Sequence, residues 1–189
     1  ADFFRYLLLF NQGGIYLDIK STANKPLKNF IKPDDKYILS SWCEGKCGIE
    51  GSYGGVTGKS DTPFGEYQQW HIMVIPKHPF LKAVINQCIK NILEYEYTRK
   101  SDNIGKGGVL TLTGPVPYTN AIYPLALKNP SLYRYTTNSI NNNLKYTISN
   151  KPDSHEKFFK NHYTNVTEPI VRNTNFKKQA SKNINKYLL

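Results

Sequence analysis

The chain has 189 residues, and at roughly 150 residues per domain this length predicts one globular unit with enough sequence to bury a core. Hydrophobic residues make up 39% and aromatic residues 13% of the chain, which excludes disorder for its bulk. No run approaches the roughly 18 consecutive apolar residues that a membrane span needs, so no membrane span is predicted in this sequence. The net charge of +11 favours polyanionic partners, but Arg5, Arg99, Arg134 and Arg172 are scattered, so no nucleic-acid-binding module is predicted.

Three cysteines give an odd count. Cys43 and Cys47 have no second pair to complete a zinc site, so buried or free thiols in a reducing compartment are expected. The sequence opens without an initiator methionine, and any targeting segment could lie upstream of it.

The N-terminal stretch predicts a helix followed by a strand. Phe3, Tyr6 and Phe10 recur at helical spacing from Asp2 to Gln12, and the Gly-Gly pair that follows is a helix stop. The run Ile15–Ile19 is apolar and rich in β-branched residues, which predicts a buried central strand with its C-terminal end at a site. This order predicts an α/β domain.

The remaining elements follow from periodicity and from proline and glycine positions. Strands are predicted at residues 36–42, 48–57, 69–75 and 132–135, and helices at 79–96 and 118–127. Residues 105–108 are expected to begin a glycine-rich loop that runs through Leu112 to Gly114 and Pro115. From residue 173 onward Lys, Asn and Gln dominate, which predicts a basic tail over 173–189 or a loosely docked terminal helix.

Asp2, Arg5 and Asp18 are the strongest candidates for a site. Asp2 and Arg5 lie at the start of the predicted helix, and Asp18 lies one helix length and one strand further along. Two carboxylates and a guanidinium are therefore expected at one edge of the sheet. Carboxylates can fix sugar hydroxyls, while cations meet the charge of a diphosphate leaving group, so the set suits a nucleotide sugar. The alternative is that Asp18 is a helix cap or a solvated turn residue.

The string from Ala1 to Lys20 closely resembles the sugar-binding block of the family 32 glycosyltransferases. That block reads (S/A)-D-x-x-R-Y-x-x-L followed by G-G-x-Y-x-D-x-D. Residues 75–81 (IPKHPFL) and 112–115 (LTGP), followed by 120–122 (NAI), resemble two further pieces of the same family in the expected order. The resemblance spans residues 1–122, with a weaker echo at 160–172. The family includes initiating mannosyltransferases of yeasts, bacterial capsule enzymes and giant-virus relatives.

The resemblance implies a GT-A-like, Rossmann-type domain over residues 1–172 that lacks its N-terminal strands in this chain. It implies that Asp18 and Arg5 are catalytic and that the donor is contacted by residues of the same block and of the LTGP motif. The implied substrate-binding residues are Asp2, Arg5, Gly13, Gly14, Tyr16, Lys20, Gly114 and Pro115. For the glycines and Pro115 the alternative is a structural cap or turn. His78 is expected to start a helix rather than to act in catalysis.

Lys20 departs from the family pattern, because it stands where the second Asp of the motif would be the main metal ligand. Either its ammonium replaces cation charge near the β-phosphate, or it points to solvent while Asp18 and a later side chain bind Mn²⁺ or Mg²⁺. His155 and His162 are the candidates for that later ligand, and His155 is the predicted one.

The resemblance therefore implies a hexosyltransferase that uses a UDP- or GDP-hexose and acts on a glycan, sugar or protein hydroxyl, with retention. The competing hypotheses are a catalytically degenerate binding module and, motivated by the charge, a nucleic-acid-binding domain. No nucleic-acid partner is expected, and the expected location is the cytoplasm, or the host cytoplasm for a viral protein. The donor, the acceptor and the oligomeric state stay open.

Overall fold

The computed structural model describes residues 1–42, 62, 66–96, 103–136, 143–146 and 166–171. The helices are α1 (Asp2–Gln12), α2 (Pro79–Glu94), α3 (Gly105–Leu112) and α4 (Pro115–Lys128). The strands are β1 (Gly14–Leu17), β2 (Ser21–Ala23), β3 (Tyr37–Ser40), β4 (His71–Val74), β5 (Arg134–Thr136) and β6 (Leu144–Tyr146). Across the described ranges, no helix has the length and apolarity that crossing a bilayer requires. The predicted strand at 48–57 and the predicted tail at 173–189 lie outside the described residues.

Two sheets organise the described strands. The larger sheet has the order β1-β4-β3-β5 and is mixed, since β4 is antiparallel to both neighbours while β3 and β5 are parallel. The smaller sheet pairs β2 with β6. This mixed α/β architecture is compatible with a glycosyltransferase domain.

Side chains alternate between two cores, one on each face of the larger sheet. Tyr37, Leu39, Ile72 and Val74 pack with α1, α2 and α4. Ile38 and Met73, on the opposite face, pack with Trp70, Phe30 and Leu144 of β6. The larger sheet therefore lies between a helical layer and the smaller sheet.

The two helices with the clearest periodicity form as predicted. Helix α1 ends at Gly13, whose N–H donates to the Leu9 carbonyl at 2.8 Å. Helix α2 begins at Pro79. Proline suits this position because it has no N–H, and an N–H in the first turn of a helix has no partner within the helix. His78 caps α2, since its Nδ1 accepts from the Phe80 N–H at 3.2 Å and its Nε2–H donates to the Leu132 carbonyl at 3.0 Å. The structural role expected for His78 is confirmed.

The prediction of a buried central strand at 15–19 is wrong for the described part of the chain. There β1 pairs with β4 alone and lies at the sheet edge. Ile15 is 43% exposed, and Ile19 lies beyond the strand in a turn and is 90% exposed. Composition identifies a strand, but the order of strands depends on pairing with residues more than 50 positions away.

The predicted glycine-rich loop at 105–108 is also wrong, because these residues begin α3. Glycine is a poor helix former, but here the absence of a side chain permits close packing. A Cβ on Gly108 would lie 2.6 Å from the Asn103 carbonyl carbon and 2.5 Å from the Ile170 side chain. Tertiary contact therefore overrides the local preference.

An ion pair anchors β5 beside the loop that leads into β3. Arg134 donates from Nε and Nη2 to the two carboxylate oxygens of Asp35 at 2.6 Å each, and from Nη2 to the Phe30 carbonyl at 2.9 Å. These hydrogen bonds lower the pKa of Asp35 below its ordinary value. The pair holds β5 beside β3 in the larger sheet.

Buried neutral histidines predict that acid destabilises the fold. Burial lowers the pKa of His71 to about 3 and also lowers that of His78. The unfolded chain, with histidine pKa values near 6.5, then binds more protons than the native chain below that pH. The free energy of unfolding should therefore fall as the pH drops from about 6.5 towards 3, by up to about 1.4 kcal/mol per pH unit for His71, and His78 should add to the fall.

Urea unfolding at several values between about pH 6.5 and pH 5, above the carboxyl range, measures this slope. His71→Gln should have a shallower slope than the parent protein. Identical slopes would contradict the assignment of a neutral His71.

Candidate functional site

Arg5 lies at the centre of the predicted cluster. It extends from the first turn of α1, and its side chain is 7% exposed. Its Nη2 donates to Asp2 at 2.7 Å, and its Nη1 lies 3.2 Å from Asp18 Oδ1 and donates to the Gln69 carbonyl at 3.0 Å. The structure thus brings Asp2, Arg5 and Asp18 together, as the sequence predicted. One buried cation orients two carboxylates from different elements.

Tyr16 completes the surroundings of Arg5 and Asp18. Its ring lies under the Arg5 guanidinium, 4.3 Å from Cζ to the ring centroid. Its hydroxyl donates to Asp18 Oδ1 at 2.8 Å, and burial together with this hydrogen bond raises the pKa of Tyr16 to about 12. A neutral phenol therefore remains a donor to the carboxylate throughout the physiological range.

Asp18 has one engaged oxygen and one open oxygen. Both contacts, from Tyr16 and from Arg5, go to Oδ1. The described residues place no donor on Oδ2, and the side chain is 22% exposed. The backbone of Asp18 is also fixed, because its N–H donates to the Trp70 carbonyl at 2.8 Å. A partly exposed carboxylate on a fixed backbone can accept hydrogen bonds from a ligand hydroxyl.

Asp2 connects the cluster to the LTGP motif. Burial raises the pKa of Asp2 above its ordinary value, and the charge of Asp18 adds to that shift. The Arg5 charge and a hydrogen bond with the Thr113 side chain oppose it. The Tyr6 hydroxyl donates to the Thr113 carbonyl at 3.0 Å, so two motifs that lie more than 100 residues apart in sequence meet in the same cluster.

Sequence reasoning missed Tyr6 and Gln69 as parts of the site. The fully buried Tyr6 hydroxyl contacts the Gln69 Oε1 and the Thr113 carbonyl, the latter at 3.0 Å. Gln69 supports Tyr6 through its side chain and Arg5 through its backbone. Tyr6 belongs to the D-x-x-R-Y string and could have been chosen on that signal, whereas nothing in the sequence around Gln69 marks it.

The predicted glycines and Pro115 occupy structural positions around the cluster. Gly13 and Gly14 join α1 to β1 with positive φ angles of 66° and 105°. Gly114 links α3 to α4, and a Cβ there would lie 2.7 Å from the Leu110 Cα. Pro115 is the buried first residue of α4, next to Thr113. Direct contact of these four residues with a substrate stays a prediction.

Lys20 lies in the tight turn that follows β1. The Ser21 N–H donates to the Asp18 carbonyl at 2.9 Å, which closes a four-residue turn with Lys20 at its third position. The Lys20 ammonium lies over the Tyr146 ring, 4.6 Å from its centroid. Lys20 is half-buried, so it does not simply point to solvent. His155 and His162 lie outside the described residues.

The described side chains do not fit a divalent metal ion. No three His, Cys, Asp or Glu residues within the described ranges are close enough together to hold one. Asp18 Oδ1 already faces a guanidinium, and the third motif position carries an ammonium rather than a carboxylate. A divalent ion requires several oxygen ligands, which this set does not supply.

Comparison with known proteins supports the resemblance. Residues 1–38 match the family model described as the glycosyltransferase sugar-binding region containing a DXD motif, a family whose members usually bind a divalent metal. The matched residues contain the whole Asp2, Arg5 and Asp18 cluster.

Two curated relatives are initiation-specific alpha-1,6-mannosyltransferases. The chain is 28% identical over 149 residues to the protein of Candida albicans, covering 71% of this chain and 37% of that relative. It is 30% identical over 135 residues to the protein of Schizosaccharomyces pombe, covering 65% of this chain and 30% of that relative. The chain thus spans about a third of the length of these relatives. No solved structure gives a significant match. The family match and both relatives confirm the resemblance to the family 32 glycosyltransferases.

Proposed function

From this resemblance we propose that the chain forms the donor-sugar site of a transferase that moves a hexose from a nucleoside-diphosphate sugar to a hydroxyl group. The observation that carries the proposal is the convergence of Asp2 and Asp18 on the buried Arg5. The acceptor is the hydroxyl of a glycan, a sugar or a protein, and the reaction proceeds with retention in a GT-A-like fold. Because both relatives are mannosyltransferases, mannose is the first hexose to test.

Each residue of the cluster has a distinct part in this proposal. Asp18 Oδ2 accepts hydrogen bonds from hydroxyls of the bound sugar, and Tyr16 and Arg5 keep that oxygen in position through Oδ1. Arg5 also orients Asp2 on the other side of the guanidinium. During transfer the acceptor oxygen forms a bond to the anomeric carbon while the bond from that carbon to the diphosphate breaks, so negative charge develops on the departing diphosphate, which takes up the proton that the acceptor hydroxyl loses. Fixed cations close to that charge lower the barrier.

Donor binding and donor cleavage test this proposal separately. Calorimetric titration of the full-length protein with GDP-mannose and with UDP-glucose should show that it binds one of them. Release of free GDP or UDP from that donor, increased by a mannoside acceptor, should then be measurable. Binding of neither donor would contradict the proposal, with GMP and UMP serving as controls for recognition of the base alone.

A catalytically degenerate binding module is the second candidate, and the presence of Lys20 in place of a carboxylate favours it. If the chain is such a module, it should bind the donor but release no nucleoside diphosphate, whichever acceptor is added. Measurable release would exclude it. The cytoplasmic location remains a prediction, which fractionation of expressing cells would test.

A further inference from the structure

We propose that Lys20 supplies the positive charge that a divalent cation supplies in DXD-type glycosyltransferases, so that nucleoside diphosphate binding to this chain does not require a metal ion. The inference rests on the proposed function and concerns how the same site meets the diphosphate.

Formal charge is the first argument. Where the family block has Asp, this chain has Lys, and that exchange raises the charge of the site by two units. Two units is the charge of one divalent cation. In this chain the charges of Asp2, Arg5, Asp18 and Lys20 sum to zero. The family pattern, with Asp in place of Lys20, reaches zero only when one divalent ion is bound. A diphosphate thus meets no net repulsion in the absence of metal.

Position is the second argument. The hydrogen bond from the Ser21 N–H to the Asp18 carbonyl at 2.9 Å makes residues 18–21 a tight turn, which keeps its end Cα atoms within about 7 Å of each other. Lys20 is therefore fixed beside Asp18 rather than on a separate element. The flexible lysine stem allows its ammonium to move from the Tyr146 ring to an anion bound at this corner.

The partners of Lys20 are the third argument. Among the described residues no carboxylate pairs with the Lys20 ammonium, and its contact is the face of Tyr146. Tyr146 in turn packs on Trp70 at 5.0 Å between ring centroids, and the Trp70 carbonyl accepts from the Asp18 N–H at 2.8 Å. The Lys20 ammonium therefore lies over a ring that packs on a residue hydrogen-bonded to the Asp18 backbone, and a ring face leaves its N–H donors available to phosphate oxygens.

The donor set is the fourth argument. Asp18 Oδ1 already interacts with the Arg5 guanidinium at 3.2 Å and with the Tyr16 hydroxyl at 2.8 Å. A divalent ion at this oxygen would lie close to a guanidinium and to the Lys20 turn, and both cations would repel it. The same positions favour an anion.

The experiment measures the affinity of GDP and UDP for the full-length protein by calorimetry, once in excess EDTA and once in Mn²⁺. The parent protein should bind one nucleotide with a Kd that differs by less than about threefold between the two conditions. Lys20→Gln should weaken binding in EDTA by about tenfold, the effect of losing one charge-assisted hydrogen bond. Lys20→Asp should weaken it further in EDTA and recover affinity in Mn²⁺, because it restores the second motif carboxylate.

Lys25→Asp is the matched control, since Lys25 is exposed and lies five residues away. It makes the same charge change and should bind nucleotide like the parent in both buffers. Thermal unfolding of each variant reports whether it folds. If Lys20→Asp does not fold, Lys20→Gln still provides the test. Parent binding that requires Mn²⁺, or a Lys20→Gln variant with unchanged affinity in EDTA, would overturn this inference while leaving the proposed function intact. Failure of the parent to bind either nucleotide in either buffer would contradict both.

Discussion

Asp18→Asn is expected to slow release of nucleoside diphosphate from the donor by at least about 100-fold, the size of losing one preorganised electrostatic contact. The substitution preserves shape and keeps an acceptor oxygen, but it removes the negative charge that Arg5 and Tyr16 hold in place. Asp2 alone would then balance the Arg5 charge beside the sugar. The loss should appear mainly in kcat if Asp18 acts in the transition state, and mainly in KM if it only binds the sugar.

Asp34→Asn is the matched control for this variant, because Asp34 is exposed. It should retain the activity and the thermal midpoint of the parent. If Asp18→Asn were as active as Asp34→Asn, the assignment of Asp18 to the donor site would be wrong. Steady-state kinetics of both variants with the donor identified by calorimetry provide the measurement.

Gly13→Ala is expected to destabilise the fold by about 2–4 kcal/mol, combining backbone strain with overpacking. Gly13 has φ 66° and ψ −163°, a combination that is essentially restricted to glycine. A Cβ there would lie 2.6 Å from Pro76 Cδ and 2.7 Å from Pro76 N. Pro76 belongs to the segment that precedes α2. Relieving the clash would therefore move the end of α1 away from that segment.

Gly14→Ala separates the two contributions. Gly14 also has a positive φ, of 105°, but a Cβ there would have no heavy atom within 4 Å. Gly14→Ala should therefore have only the cost of backbone strain. In urea unfolding, Gly13→Ala should have a lower free energy of unfolding than Gly14→Ala. Equal stabilities would show that the contact with Pro76 is not rigid.

Much of the candidate site could be predicted because its residues are close in sequence. Asp2 and Arg5 are one helical turn apart, so their ion pair follows from the α1 pattern alone. Asp18 follows a Gly-Gly turn and a short strand, which leaves the chain little freedom to take it elsewhere. Gln69 and Thr113 could not be predicted as partners, since they reach the cluster only through the packing of β4 and α4 against α1.

The errors in the predicted fold share one physical cause. The glycines at 105–108 have low intrinsic helix propensity, but they lie in α3, and Gly108 packs so closely against Asn103 and Ile170 that a side chain would not fit there. The run at 15–19 has the composition of a buried strand, but its neighbour in the sheet is β4, which places it at an edge of the described sheet. Local preferences of a fraction of a kcal/mol per residue are smaller than the energy of tertiary packing.

The sequence by itself determined the bounds of α1, the start of α2 at Pro79, the cap at His78 and the Asp2–Arg5–Asp18 cluster, because each depends on spacing within a few turns or on a short connection. Only the tertiary structure decided that Tyr6 contacts Thr113, that Gln69 supports Arg5 and that Lys20 lies on Tyr146. Each of these contacts joins segments between roughly 60 and 130 residues apart. Such contacts are set by strand order and by helix packing, which no local pattern encodes.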